Sequence, residues 1–137
     1  MASPVPSPAS AASSYLVDGN DFRLVSGSVP NGQIAACWIA IANEGKIAYS
    51  TNAGSTSVSA YQVGKGGALS LINGRAGDTG VGTGPTDPAT SHNGRLLYVL
   101  SARSQTIVGF AIQADGSLSS LGSFGGLPLG TVGIAAW

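Results

Sequence analysis

The sequence predicts an all-β protein, a partial β-propeller of four-stranded antiparallel blades in which two complete blades are flanked by strands of others. Three observations carry this reading. Part of the chain repeats at a constant displacement, each copy holds its apolar residues in short runs rich in β-branched and aromatic types, and turn dipeptides cut these runs too often for helices.

The repeat is read by sliding the chain over itself. Glu44-Gly45-Lys46-Ile47-Ala48-Tyr49 lies over Asn93-Gly94-Arg95-Leu96-Leu97-Tyr98, a displacement of 49 residues from Gly45 to Gly94. The match continues without a gap: Val58 falls on Ile107, Tyr61 on Phe110, Val63 on Ile112, Gly67 on Gly116, Leu69 on Leu118 and Ile72 on Leu121. A weaker third copy lies upstream, where Ser14-Tyr15-Leu16-Val17 matches Ala60-Tyr61-Gln62-Val63, and Phe22 and Leu24 stand where Leu69 and Leu71 do.

Taken in order, residues 1–8 are a Pro/Ser/Ala-rich tail, because three prolines fix φ and remove ladder donors. Lettering the strands of a blade a to d outward from the axis, residues 9–30 read as strands c and d of a broken blade. Residues 31–73 read as a complete blade with strands at about 37–42, 47–51, 57–63 and 68–72. Residues 74–124 read as a second, with strands at about 88–91, 96–101, 106–112 and 117–120. Residues 125–137 end in the first strand of a further blade, at about 132–137. Asn93-Gly94 and Asp115-Gly116 sit between strands, where two successive positive φ values suit a hairpin, so each unit is an antiparallel meander. Such a sheet has two apolar faces, and radial stacking hides both. A solenoid would have a shorter period, and a sandwich would not require one four-strand pattern to recur.

Composition narrows the function. Hydrophobic residues make up 43% of the 137 residues and charged ones 9%, too apolar for a disordered polymer and sufficient for one modest domain. The six Lys and Arg residues are scattered and net charge is zero, so neither nucleic acid nor a membrane surface is an expected partner. Cys37 and His92 are each the only residue of their type, which excludes an internal disulfide and the usual Cys/His metal site within one chain. No cofactor is implied. The N-terminus shows no basic segment followed by an apolar one, and no apolar run reaches the roughly 18–20 residues that span a bilayer. A soluble chain is expected, with its compartment open and export of a longer parent included.

The second strands read Tyr49-Ser50-Thr51-Asn52 and Tyr98-Val99-Leu100-Ser101, preceded by Gly45-Lys46 and Gly94-Arg95. This resembles the YVTN-type repeat of the lactonase-like seven-bladed β-propellers, the group that includes 6-phosphogluconolactonase-like and carboxymuconate-cyclase-like proteins. The ending from Gly126 to Ala136 resembles the closing segment of such proteins. The resemblance implies a propeller of which this sequence is the C-terminal part, with unpaired edges and open blade faces through which chains could self-associate. It carries over no catalytic position, since the family's acid, base and arginine groups are expected on motifs of other blades.

Propeller ligands usually meet the end of the blades that carries the d-to-a and b-to-c loops. Arg75 and Asp78 from the long Gly-rich loop, Asp87 at the entry to a first strand and Arg103 between strands b and c fall at that end. Opposite charges around a concave mouth suit a small anionic or sugar-like ligand; the other reading is ordinary loop charge that keeps the surface soluble. His92 belongs to an a-to-b turn at the opposite end, a poor position for a general base. Cys37, beside Trp38, reads as a buried inert thiol with no histidine to activate it. The Gly77–Gly84 stretch lacks the Gly-Lys-Ser/Thr ending of a phosphate loop and is read as an inter-blade connection. Tyr15, Trp38, Tyr49, Tyr61, Tyr98, Phe110 and Trp137 read as inter-blade packing. Two functions follow: a catalytically incomplete propeller segment that serves as a binding or interaction scaffold, or a sugar-lactone hydrolase or related lyase active only in an assembled ring or a longer parent.

Overall fold

The computed structural model describes residues 10–137, so the tail at 1–8 lies outside the described residues. The described residues form ten strands and one 3₁₀ turn at Lys65–Gly67. β1 (Ala11–Asp18) and β2 (Asp21–Pro30) make a two-stranded antiparallel sheet. β3 (Ala36–Ala42), β4 (Ile47–Asn52), β5 (Ser57–Val63) and β6 (Leu69–Asp78) make a four-stranded meander in that order. β7 (Pro85–Thr90), β8 (Leu96–Ser101), β9 (Thr106–Ile112) and β10 (Leu118–Phe124) make a second. All pairings are antiparallel, as the meander reading requires. Among the described residues no helix is long and apolar enough to cross a membrane.

The meanders stack face to face. Tyr49, Val58 and Ala60 of the first sheet bury against Leu97, Val99, Val108 and Phe110 of the second. The β1–β2 pair covers the other face of the first sheet, with Ala12 and Val29 against Ala48, Tyr61, Val63 and Leu69. β4 is buried along its whole length because blades lie on both of its sides. Inner strands β3 and β7 touch closely while outer strands β6 and β10 touch sparsely, so the sheets fan from an axis as propeller blades do.

Directed hydrogen bonds set how far one blade slides on the next. The buried Tyr49 hydroxyl donates to the Gly116 carbonyl at 2.9 Å, across the sheets. Thr90 Oγ1 donates to the Ile41 carbonyl at 3.1 Å, and Thr51 Oγ1 donates to that of Thr86. Burial, assisted by the Asp115 charge, pushes the Tyr49 phenol up to about 12. Burial also raises that of Tyr61.

The structure departs from the sequence expectations in three places along the chain. The hairpin turns hold one positive φ each, at Gly94 (66°) and Gly116 (86°), rather than two. The preceding residues act through side chains instead: Asn93 Oδ1 accepts from the Arg95 N–H and Asp115 Oδ1 from the Ser117 N–H, as Asx turns do. β6 runs on to Asp78, so Arg75 and Asp78 lie on its end and not in a loop. Its glycines serve close approach: a Cβ on Gly74 would stand 2.3 Å from the Asn31 carbonyl oxygen, and one on Gly77 would stand 3.0 Å from Leu118 Cδ1. The strand expected at 132–137 joins no ladder, because a strand needs a paired neighbour and none of the described residues offers that segment one. It is held instead at the innermost strand of the second blade by the Ile134 N–H, which donates to Asp87 Oδ2 at 2.9 Å.

Burial of the aromatics follows the stack. Tyr49, Tyr61 and Phe110 lie between sheets and are buried, whereas Tyr15, Trp38 and Trp137 are more than half exposed. Cys37 is exposed as well, because β3 is the innermost strand and its first residues have no sheet over them.

Gly74→Ala should lower the unfolding free energy by about 1–3 kcal/mol, the cost of forcing backbone apart at a packed contact. Urea denaturation measures this, and an unchanged midpoint would mean that the two segments are not in contact.

Candidate functional site

The loops between strands group at two ends of the blades. The connection from β6 to β7 clasps the β4–β5 loop on one side, where the Thr79 N–H donates to the Thr56 carbonyl at 2.9 Å. On the other side it receives the Ala102 N–H on the Gly84 carbonyl at 3.1 Å and the Arg103 N–H on that of Thr83 at 3.1 Å. Turns β3–β4 and β7–β8 lie at the opposite end, where His92 and Glu44 line one polar cavity of about 440 Å³. Histidine chemistry is therefore separated from the other candidates by the length of a blade.

The four charged candidates share an end without forming one cluster. Arg75 and Asp78 sit on the outermost strand of the first blade, paired at 2.6 Å. Arg75 Nη1 also donates to the Ser55 carbonyl at 3.0 Å, and Asp78 Oδ1 accepts the Gly80 N–H at 3.0 Å. The Arg75 hydrogen bond is the main cause that holds the Asp78 carboxyl below its ordinary value of 3.8. Asp87 sits on β7, the innermost strand, three strand spacings of about 4.8 Å from the rim of a blade. It lines a cavity of about 330 Å³ with Trp38, Thr86, Val132 and Gly133. Arg103 lies over the entry to β7: a Cβ on Gly84 would stand 3.0 Å from its Cβ and 3.6 Å from its Nε. Among the described residues its guanidinium pairs with no carboxylate, and Asp87 Oδ1 has no hydrogen-bond partner.

A buried polar group absent from the sequence expectations stands at this same end. Asn52 closes β4, and its side chain accepts from Asn31 Nδ2 at 3.0 Å and donates to Ser57 Oγ at 3.1 Å and Ser59 Oγ at 2.9 Å. Ser57 Oγ in turn donates to Gln33 Oε1 at 3.0 Å, so the β2–β3 connection is pinned to the blade that follows it. The visible signal was the Asn that ends Tyr49-Ser50-Thr51-Asn52, a poor strand former kept where only a partnered amide can be buried. Among the described residues no group of three or more His, Cys, Asp or Glu side chains is placed to hold a metal.

Residues 15–130 match the family model described as lactonase, 7-bladed beta-propeller. No curated protein matches the sequence. Among crystal structures, a protein from Lactobacillus plantarum superposes with a TM-score of 0.71 at 16% identity, over 89% of this chain and 38% of its own. A putative 6-phosphogluconolactonase from Bacteroides uniformis gives 0.65 at 16% identity over 82% and 36%. The periplasmic gluconolactonase of Pseudomonas aeruginosa gives 0.57 at 21% identity over 71% and 28%. The chain thus spans little more than a third of these proteins at most, and at such identities the likeness is one of fold.

Because Asp78 is depressed, its contribution to stability is fully present above the ordinary carboxylate value and is lost as pH falls through the lowered one. An NMR titration should find the Asp78 carboxyl below 3.8 in the native chain and shifted up in Arg75→Ala. Equal values in the two proteins would mean that the pair is not formed in solution.

Proposed function

The chain belongs to the lactonase family of seven-bladed β-propellers, and from that premise we propose that it supplies two adjacent blades as a binding scaffold without completing a catalytic centre. One observation carries this: of the charged groups at the loop end of the blades, Arg75 and Asp78 neutralise each other, and Arg103 and Asp87 remain available beside the innermost strand. Arg103 supplies a planar cation for a carboxylate or phosphate, and Asp87 Oδ1 supplies an acceptor for a hydroxyl. Trp38, 58% exposed in the cavity that Asp87 lines, offers an apolar face of the kind on which sugar rings lie. The ligand class is a small anionic or sugar-like molecule.

Opening a lactone requires a base for the attacking water and a group that stabilises the developing oxyanion. Asp87 and Arg103 are candidates for these two roles, and family membership favours a second reading in which further blades complete a sugar-lactone hydrolase around them. The scaffold reading takes precedence because one of the two Asp87 oxygens, Oδ2, already accepts the Ile134 N–H, and His92 stands at the far end.

Incubated with gluconolactone, the chain should leave the spontaneous hydrolysis rate unchanged, as should Asp87→Ala and Arg103→Ala. Gluconate binding should weaken by about tenfold in Arg103→Ala, the loss of one charge-assisted contact. A rate enhancement abolished by Asp87→Ala would establish the hydrolase in place of the scaffold.

A further inference from the structure

The innermost strand of each blade carries the same irregularity at the same place. In the first blade Ala36 pairs with Asn52 and Ile39 with Ser50, so three steps along β3 answer two along β4. In the second, Pro85 pairs with Ser101 and Pro88 with Val99, the same count between β7 and β8. The two sets of pairs coincide at the displacement of 49 residues. Each is a β-bulge with one extra residue, which bends the strand and re-aims a side chain. The bulged residues are Cys37 and Trp38 in one blade and Thr86 and Asp87 in the other. Trp38 and Asp87 therefore occupy one position of the repeat, and both open into the cavity of about 330 Å³ at the boundary between the blades. Both bulges belong to complete four-stranded blades that pack directly on each other.

A bulge disrupts ladder pairing, and the backbone groups it releases need other partners. Thr51 stands between Asn52 and Ser50, across from the first bulge. Its buried hydroxyl accepts from the Trp38 N–H at 3.3 Å and donates to the Thr86 carbonyl of the next blade. A hydroxyl has one proton to give and lone pairs to receive, so this single side chain holds both bulges at once. Among the described residues no other hydrogen bond links the two bulges. The repeat does not duplicate the arrangement. Leu100 takes the matching place across from the second bulge and has no hydroxyl, and there Thr86 Oγ1 donates to the Leu100 carbonyl at 3.2 Å.

We propose that Thr51 is the positioning residue of the Trp38–Asp87 site: its hydroxyl fixes how far the indole face stands from the carboxylate, and so which ligand touches both. The inference rests on reading that cavity as a site for a sugar-like ligand. A sugar acid laid on the indole reaches Asp87 Oδ1 only at a set span. One bulge displaced by about 1 Å loses that hydrogen bond, whose working range is only about half an ångström. Thr51 is wholly buried and lines no part of the cavity, so it acts on a ligand only through the two residues it holds.

The test compares the parent, Thr51→Val and Thr51→Ser in a Trp137→Phe background, where Trp38 is the only tryptophan left. Without ligand, the Trp38 amide should be protected in the parent and exchange about tenfold faster or more in Thr51→Val, the loss of one hydrogen bond. Trp38 emission and its quenching by acrylamide should change in Thr51→Val and return to the parent values in Thr51→Ser, which keeps the hydroxyl. With gluconate as the probe, Thr51→Val should raise Kd about tenfold and Thr51→Ser should not. In an Asp87→Ala background the Thr51→Val change should fall to about twofold or less, because no carboxylate remains to be positioned. An equal penalty in both backgrounds means a role in stability alone and overturns the proposal. So does a Trp38 amide in the parent that exchanges as freely as that of the fully exposed Val81, a measurement that needs no variant to fold. Identical Trp38 emission in all three proteins overturns it as well. If gluconate binds none of them, the ligand reading fails, and the ligand-free measurements still decide the role of Thr51.

Discussion

A meander whose two middle strands are apolar on both sides cannot be shielded from water by its own loops, and each sheet of this chain depends on another sheet for cover. β4 shows the constraint most plainly: all six of its residues are buried, although neighbours along the ladder cover only its edges. The cover comes from the sheets before and after it, through Tyr61 on one face and Tyr49 on the other. Where a sheet ends the stack, the same residue types stand in water, as Tyr15 and Phe22 do.

Apolar burial has no direction, so polar contacts decide the relative placement of the blades. The hydroxyls of Tyr49, Thr51 and Thr90 each reach a carbonyl of the adjacent blade and tolerate little sliding. The Asn52 network does this work for the β2–β3 connection, but the repeat does not preserve it. Ser101 stands at the matching position of the second blade and is too short to bridge; its buried Oγ finds no partner among the described residues. Val108 stands where Ser59 does, so the second blade replaces the polar hub with apolar packing. The β6–β7 connection is held by its own threonines instead, with Thr79 Oγ1 and Thr83 Oγ1 2.7 Å apart.

The strands with alternating or β-branched composition were legible in the sequence: the reading placed β5, β8 and β9 at the residues where they stand, because local pattern and burial agree there. The end of β6 was not legible. Gly74 and Gly77 look like loop glycines, and the contacts that demand them come from Asn31, Phe110 and Leu118, far off in the chain. Pro85 and Pro88 hid the start of β7 in the same way, since proline is acceptable only because that strand has a free edge, a fact of topology. The candidate site was legible in its residues but not in its grouping. Sequence order places Arg75, Asp78 and Asp87 close together, whereas the β6–β7 connection carries the chain from the rim of one blade to the inner strand of the next.

If blade-on-blade burial holds the fold, the two four-stranded sheets cannot open separately, because each uncovers the other. Native-state hydrogen exchange tests this directly. Amides of β4, β5, β8 and β9 should exchange with one shared opening free energy, equal to that of global unfolding, while β1 and β2 exchange at a lower one. Protection that persists in one sheet after the other has exchanged would show that each blade is stable by itself and that blade-on-blade burial does not hold the fold.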